Sequence, residues 1–265
     1  YTSSGYPKKI ARELVKRKET EPDLSIRMLT GANTGPLDTM LSEADLITWR
    51  APMLESKAIA KQVNRGEVHY VEQQMNKMPR WLDQNVFGRI DVAVVEALCI
   101  TEEGGIVPTS SVGMVPNFLA KADKIIVEIN TAQPMTLYGM HDIFLPQRQQ
   151  PIPLTDVAEK IGKPYIKVDL DKIYAIVESD EPDQTAPIGE SKQQTVRIAE
   201  NLVGFLQAEV SHMPNGKLPP LQTGFGNLAV EIARGLGKSD FTDLTFFCGG
   251  ITEAVLDLIA AGKVR

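Results

Sequence analysis

Asp91–Ile100 reads DVAVVEALCI and Lys124–Asn130 reads KIIVEIN, and these two runs decide the fold. Both are β-branched and almost continuously apolar. A strand with one wet face alternates, whereas a strand covered on both faces does not. Two such runs in one chain predict a mostly parallel sheet with helices on both sides.

Working outward from them, strand-like and helix-like stretches alternate. Ser25–Thr30 (SIRMLT), Leu46–Trp49, Val68–Glu72 and Ile173–Ser179 read as strands. Leu37–Ala44, Ser56–Arg65 and Thr155–Ile161 read as helices, the second closed by Gly66, the residue that best tolerates a left-handed cap. Ser191–Val210 reads as a long amphipathic helix, with Val196, Ile198, Leu202, Val203, Phe205 and Leu206 on its buried side. The rhythm is that of an α/β layer fold.

Proline, glycine and asparagine cluster at Ser211–Pro220 (SHMPNGKLPP), which reads as a linker. The expected organisation is a first α/β domain over 1–210, the linker at 211–220, and the opening of a second domain over 221–265. That second piece holds a glycine loop, a helix Leu228–Leu236, a strand Leu244–Phe247 and a helix to Ala261. Alone it is too short to bury a core.

Bulk properties narrow the function classes. Of 265 residues, 43% are apolar and 23% charged, enough for a real core. The net charge of −6 and the lack of a basic stripe argue against a nucleic-acid partner. No apolar run approaches the length of a membrane span. The chain is therefore expected to be soluble and intracellular. It begins Tyr1-Thr2-Ser3-Ser4-Gly5, without an initiator methionine, and reads as starting inside a loop. Cys99 and Cys248 sit in apolar surroundings and read as buried structural thiols. His69, His141 and His212 are far apart and lack metal-ligand spacing, so no metal site is expected. His141-Asp142 and the Arg148–Gln150 stretch between prolines read as structural and as exposed loop, respectively.

Three segments carry candidate chemistry. In Gln222-Thr223-Gly224-Phe225-Gly226-Asn227 the glycines let backbone N–H groups approach a ligand ahead of a helix N-terminus. From the spacing alone the segment reads rather as an ordinary domain-entry turn, and Asn227 reads as a helix cap. Thr109-Ser110-Ser111-Val112-Gly113 is a polar turn after the strongest strand, either a ligand cleft at a strand's carboxyl end or a capping loop near Asn117. In Phe246-Phe247-Cys248-Gly249-Gly250-Ile251-Thr252-Glu253 a strand ends in two glycines and Glu253 falls in the first turn of a helix. Thr252-Glu253 also reads as plain capping.

The segments Gly5-Tyr6-Pro7-Lys8, Leu29-Thr30-Gly31-Ala32, Trp49-Arg50-Ala51-Pro52, Asp91-Val92-Ala93-Val94-Val95-Glu96-Ala97, Thr109-Ser110-Ser111-Val112-Gly113, Met140-His141-Asp142-Ile143, Ala175-Ile176-Val177-Glu178-Ser179 and Pro220-Leu221-Gln222-Thr223-Gly224-Phe225-Gly226-Asn227 form a colinear series. The series resembles the acetyl-CoA hydrolase/transferase family, which includes acetyl-CoA hydrolases and succinyl-CoA:acetate and propionyl-CoA:succinate CoA-transferases. The resemblance implies two similar α/β halves, of which this chain holds the first and the start of the second. It implies coenzyme A thioesters and small carboxylates as substrates, with no permanently bound cofactor. It also implies a homo-oligomer that works with the missing second half-domain, in the cytoplasm (or the mitochondrial matrix of a eukaryote). The family's chemistry is covalent: a glutamate attacks the thioester, and a glutamyl-CoA intermediate passes CoA to an acceptor acid. Phe225, Gly226 and Asn227 match the loop that supplies the oxyanion hole, and Ser110 and Ser111 are expected in the same cleft. The position of the catalytic glutamate matches Gly249, which has no side chain. Glu253 is the nearest carboxylate and matches a different acidic position.

Overall fold

The computed structural model describes residues 4–33, 36–147, 150–184 and 189–265. The chain divides into two compact units. The first comprises Tyr1–Ile152 and Lys160–Ala186; the second comprises Pro153–Glu159 and Pro187–Arg265.

The first unit opens with helix α1 (Lys8–Thr20), followed by β1 (Ile26–Leu29), α2 (Pro36–Glu43), β2 (Ile47–Ala51), α3 (Lys57–Asn64) and β3 (His69–Tyr70). The three strands pair in parallel in the order β1-β2-β3. Local chemistry accounts for α3: the Ser56 hydroxyl accepts from the Ala58 N–H at 3.3 Å, and Gly66 at φ +75° lets the chain leave. Leu41, Leu46, Ile47, Ile59 and Val68 form the core against this sheet.

The same unit continues with α4 (Met78–Asp83), β4 (Ile90–Ile100), β5 (Gly105–Pro108), α5 (Val115–Lys121), β6 (Ala122–Asn130), β7 (Ile166–Lys167) and β8 (Ile173–Ser179). They form a five-stranded sheet of order β7-β5-β4-β6-β8. β4, β6 and β8 are parallel, with Glu96 level with Glu128 and Asn130 level with Ser179. β5 runs antiparallel to β4, and β7 antiparallel to β5. The expected parallel centre is present, and a hairpin is added to it. β4 turns at Thr101–Gly104, where Gly104 holds φ +79°, and β5 returns so that Pro108 lies opposite Ala97. Ala93, Val95, Ala97, Ile106, Leu119, Ile125 and Val127 fill the core of this sheet.

The second unit contains α6 (Gln193–Glu209), α7 (Asn227–Lys238) and α8 (Glu253–Ala260). Leu221 bridges Phe246, and Leu244 bridges Val264, both in parallel sense, so the strand expected at Leu244–Phe247 is reduced to isolated bridges. Helix α6 lies in this unit, where its buried Val203 packs with Val230, Ala233 and Leu236 of α7. Gly235 makes the close approach possible: a Cβ there would lie 2.9 Å from Val203 Cγ2. The buried stripe of α6 is consequently narrow, carrying Ala199 and Val203. Ile198, Leu202 and Phe205, expected inside, are 53%, 37% and 58% exposed.

Two further expectations are corrected. Thr155–Ile161 is not a helix: the Thr155 N–H and hydroxyl both donate to Glu159 Oε2 at 2.8 Å, and Asp156 accepts from the Ala158 N–H at 2.9 Å. Such local side-chain bonds compete with helix formation. Cys99 and Cys248 are free but only half-buried.

Candidate functional site

Chemistry-bearing groups gather in each unit. In the first unit a polar knot lies where β6 and β8 end. Its centre is Lys8, whose side chain is 2% exposed. Lys8 Nζ donates to Glu96 Oε2 at 2.6 Å and lies 2.8 Å from Asp183 Oδ1. Glu96, with no exposed side-chain surface, also accepts from the Thr109 hydroxyl at 2.8 Å and from Asn130 Nδ2 at 3.0 Å. Asp183 accepts further from the Gly5 N–H at 3.1 Å, the Ser110 hydroxyl at 2.9 Å and Gln133 Nε2 at 3.0 Å.

The electrostatics of the three groups differ. Burial pushes the Glu96 carboxyl up, and the bonds from Lys8, Thr109 and Asn130 only partly offset it. Burial also opposes ionisation of Asp183 and Lys8. In Asp183 it is outweighed by the donors, led by Lys8 and the Gly5 amide, and the carboxyl sits below its usual range. In Lys8 it is outweighed by the two carboxylates, and the ammonium sits above its usual range. A neighbouring carboxylate, Glu128, is fully buried and accepts from the N–H groups of Lys9 at 3.0 Å and Ile10 at 2.9 Å. It caps α1, whose own preceding residue, Pro7, offers no side-chain cap.

Sequence reasoning placed Ser110 and Ser111 in a cleft but missed this knot. The loop does reach the carboxyl ends of β6 and β8, yet it is brought there by the antiparallel return of β5 and not by a parallel strand. The Ser110 hydroxyl is taken up by Asp183. The N-cap residue of α5 is Met114, which makes no side-chain capping bond. Gly5, at φ +68°, presses on the same loop: a Cβ there would lie 2.9 Å from Ser111 Cβ. The signal that pointed to Lys8 was its place in the Gly5–Lys8 segment. Glu96 has the same kind of signal, its place in the Asp91–Ala97 segment, whereas nothing local in the sequence points to Asp183. His141 and Asp142 act separately: His141 Nε2 bonds the Pro108 carbonyl at 2.9 Å, and Asp142 accepts from the Ile161 N–H at 3.1 Å. Of the Arg148–Gln150 stretch, Arg148 and Gln149 lie outside the described residues, and Gln150 is exposed.

In the second unit the glycine loop and the Gly249–Gly250 turn are neighbours. The Leu221 N–H donates to Thr245 O at 2.8 Å and the Phe247 N–H to Leu221 O at 2.9 Å, which aligns the two segments. The Thr223 N–H donates to Cys248 Sγ at 3.3 Å. The Phe225 ring lies over the turn so closely that a Cβ on Gly250 would sit 2.1 Å from its Cζ. Gly226, at φ +107°, then starts α7. Asn227 is inside that helix and donates to the Glu190 carbonyl at 2.8 Å, so it is not the cap. Glu253 is exposed in the first turn of α8, and Thr252 makes no side-chain capping bond. Gly249 itself is exposed. Among the described residues no group of His, Cys, Asp and Glu is placed to hold a metal ion.

Residues 1–178 match the acetyl-CoA hydrolase/transferase N-terminal domain. The chain is 36% identical over 272 residues to the succinyl-CoA:acetate CoA-transferase of Clostridium kluyveri, covering 99% of this chain and 50% of that protein. It is 36% identical over 281 residues to the acetyl-CoA hydrolase of Kluyveromyces lactis, covering 100% of this chain and 53% of that protein. The chain thus spans about half the length of the curated relatives it matches. Among solved structures it is similar to RipA from Yersinia pestis, with a TM-score of 0.68 and 19% identity over 98% of this chain and 54% of that one. That likeness supports the fold.

Proposed function

The chain belongs to the acetyl-CoA hydrolase/transferase family, and on that premise we propose that the intact protein moves coenzyme A from an acyl-CoA thioester to a small carboxylate such as acetate, propionate or succinate. Hydrolysis is the same chemistry with water as the acceptor. In this proposal the backbone N–H groups at Phe225 and Gly226 hold the oxyanion of each tetrahedral intermediate. Gly249 marks where the nucleophilic carboxylate of the covalent route would stand. The observation that carries the proposal is the Phe225 ring seated on Gly250, which sets the glycine loop beside the turn that contains Gly249. Ser110 is given no role toward substrate in this proposal, since its hydroxyl serves Asp183 within the first unit.

Gly249 also favours a second role, a non-catalytic form that binds or assembles without turning over substrate. An oxyanion hole without its nucleophile leaves only a small residual rate. We therefore expect no measurable turnover of acyl-CoA by the chain as written. Gly249→Glu in the intact protein is expected to yield a glutamyl-CoA adduct that borohydride traps. Loss of thioester should then depend on added carboxylate for a transferase and be indifferent to it for a hydrolase. Turnover by the unmodified chain with labelling at Glu253 would move the nucleophile to Glu253 and refute the assignment of Gly249.

A further inference from the structure

We propose that Asp183, with Lys8, forms a clasp that locks together the loops at the carboxyl ends of β6 and β8, and that removing the charge of Asp183 opens it. Asp183 follows β8, and its four donors come from three other stretches of chain. Gly5 N–H and Lys8 Nζ belong to the turn into α1, Ser110 Oγ to the loop after β5, and Gln133 Nε2 to the loop after β6. An ionised carboxylate has about four acceptor positions, so the capacity of Asp183 is filled. A neutral amide or acid in its place cannot accept from all four donors, and the ones left over sit in a confined space. The Gly5 turn and the Thr109–Ser111 loop, packed too closely for a Cβ between them, depend on the same carboxylate.

The charged surroundings make the device directional. Lys8 faces both Asp183 and Glu96. Tyr6 lies beneath Lys8, with the ammonium 4.9 Å from the ring centroid. Arg12, one turn along α1, pairs with Glu181 in the Asp183 loop. Glu128 of β6 is engaged by the amides of α1. His141, in the loop after β6, bonds the Pro108 carbonyl, next to Thr109. Asp183 sits below its ordinary pKa despite burial, because Lys8, the Gly5 amide and Ser110 outweigh it. A carboxyl lowered in this way stabilises the closed state above its unfolded pKa and ceases to do so as pH falls through the depressed value. Glu96, raised chiefly by burial, takes up its proton earlier in the same descent. Lys8 is then left paired with Asp183 alone until the clasp opens. With side-chain exposure of 13%, Asp183 is the member of the trio within reach of solvent.

Hydrogen–deuterium exchange of the whole chain, read by mass spectrometry, tests this without any acyl-CoA and so stands apart from the transferase proposal. Asp183→Asn at neutral pH is expected to speed exchange about ten-fold in peptides covering 4–12 and 109–114, with α2 and α3 unchanged. Ser110→Ala should loosen 109–114 alone. If Asp183→Asn does not fold, the wild-type protein carries the same test in acid. After correction for intrinsic rates, the two segments should then gain exchange together and ahead of α2 and α3. Unchanged exchange at both segments, or an equal rise in α2 and α3, would overturn the clasp.

Discussion

Lys8→Met removes the one cation between two carboxylates, and its cost can be worked from the geometry. At 2.6 Å from Glu96 and 2.8 Å from Asp183, each contact is worth about 6 kcal/mol at an effective dielectric of about 20. Most of that is cancelled by the desolvation of the ions, and breaking one buried pair typically leaves a net loss of ~3–5 kcal/mol. For a unit of this size each kcal/mol shifts the melting temperature by about 2–4 °C. The expected fall is therefore about 6–20 °C. Trp49 and Trp81 both belong to the first unit and both pack on Phe87, so tryptophan fluorescence reports the unfolding of this unit. The double variant Lys8→Met/Glu96→Gln removes one of the two carboxylates left without Lys8 and should lose less than the single variant, by at least ~1 kcal/mol of coupling. The pH response has a definite sign. Glu96 is already raised by burial, and without Lys8 it rises further. A raised carboxyl contributes stability that is present at low pH and lost as pH rises through its folded value. The deficit of Lys8→Met relative to wild type should accordingly shrink on acidification. A loss below ~1 kcal/mol, or a double variant no better than the single one, would refute the buried-pair account.

Two further substitutions probe the glycines that the structure singles out. Gly5→Ala asks an alanine to hold φ +68° with its Cβ 2.9 Å from Ser111 Cβ; we expect a loss of ~1–3 kcal/mol, measured by the same fluorescence melt, and no loss would mean that the turn is not held against the loop. Gly250→Ala should push the exposed Phe225 ring off the turn with little change in melting temperature, since only the far end of a side chain has to move. Nuclear magnetic resonance shifts at Phe225 and Thr223 would report the displacement, and unperturbed shifts would contradict the stacked geometry.

Much of the fold was legible because its signals are local. The apolar runs of β4 and β6 marked a covered sheet, and Ser56 and Gly66 bounded α3 with chemistry contained in a few residues. The family pattern was legible for the same reason. Helix α1 was not legible, because its N-terminal amides are capped by Glu128, a residue 118 positions from Ile10. Nor was the exposed stripe of α6 at Ile198, Leu202 and Phe205. Helical periodicity shows that apolar residues share a side, but the width of the buried stripe depends on how closely Gly235 of α7 approaches.

Residue types and order alone determined that this is an α/β chain with a parallel core and a glycine loop ahead of a helix. Tertiary structure alone decided which side chains of those segments meet. It turned β5 back on β4 and so delivered Thr109 and Ser110 to the ends of β6 and β8. It also drew Lys8, Glu96 and Asp183 into a single buried knot, across a separation of 88 positions between the first two. The physical reason is that a buried charge is tolerated only beside its partner, and a sequence read residue by residue does not show which distant carboxylate that partner is.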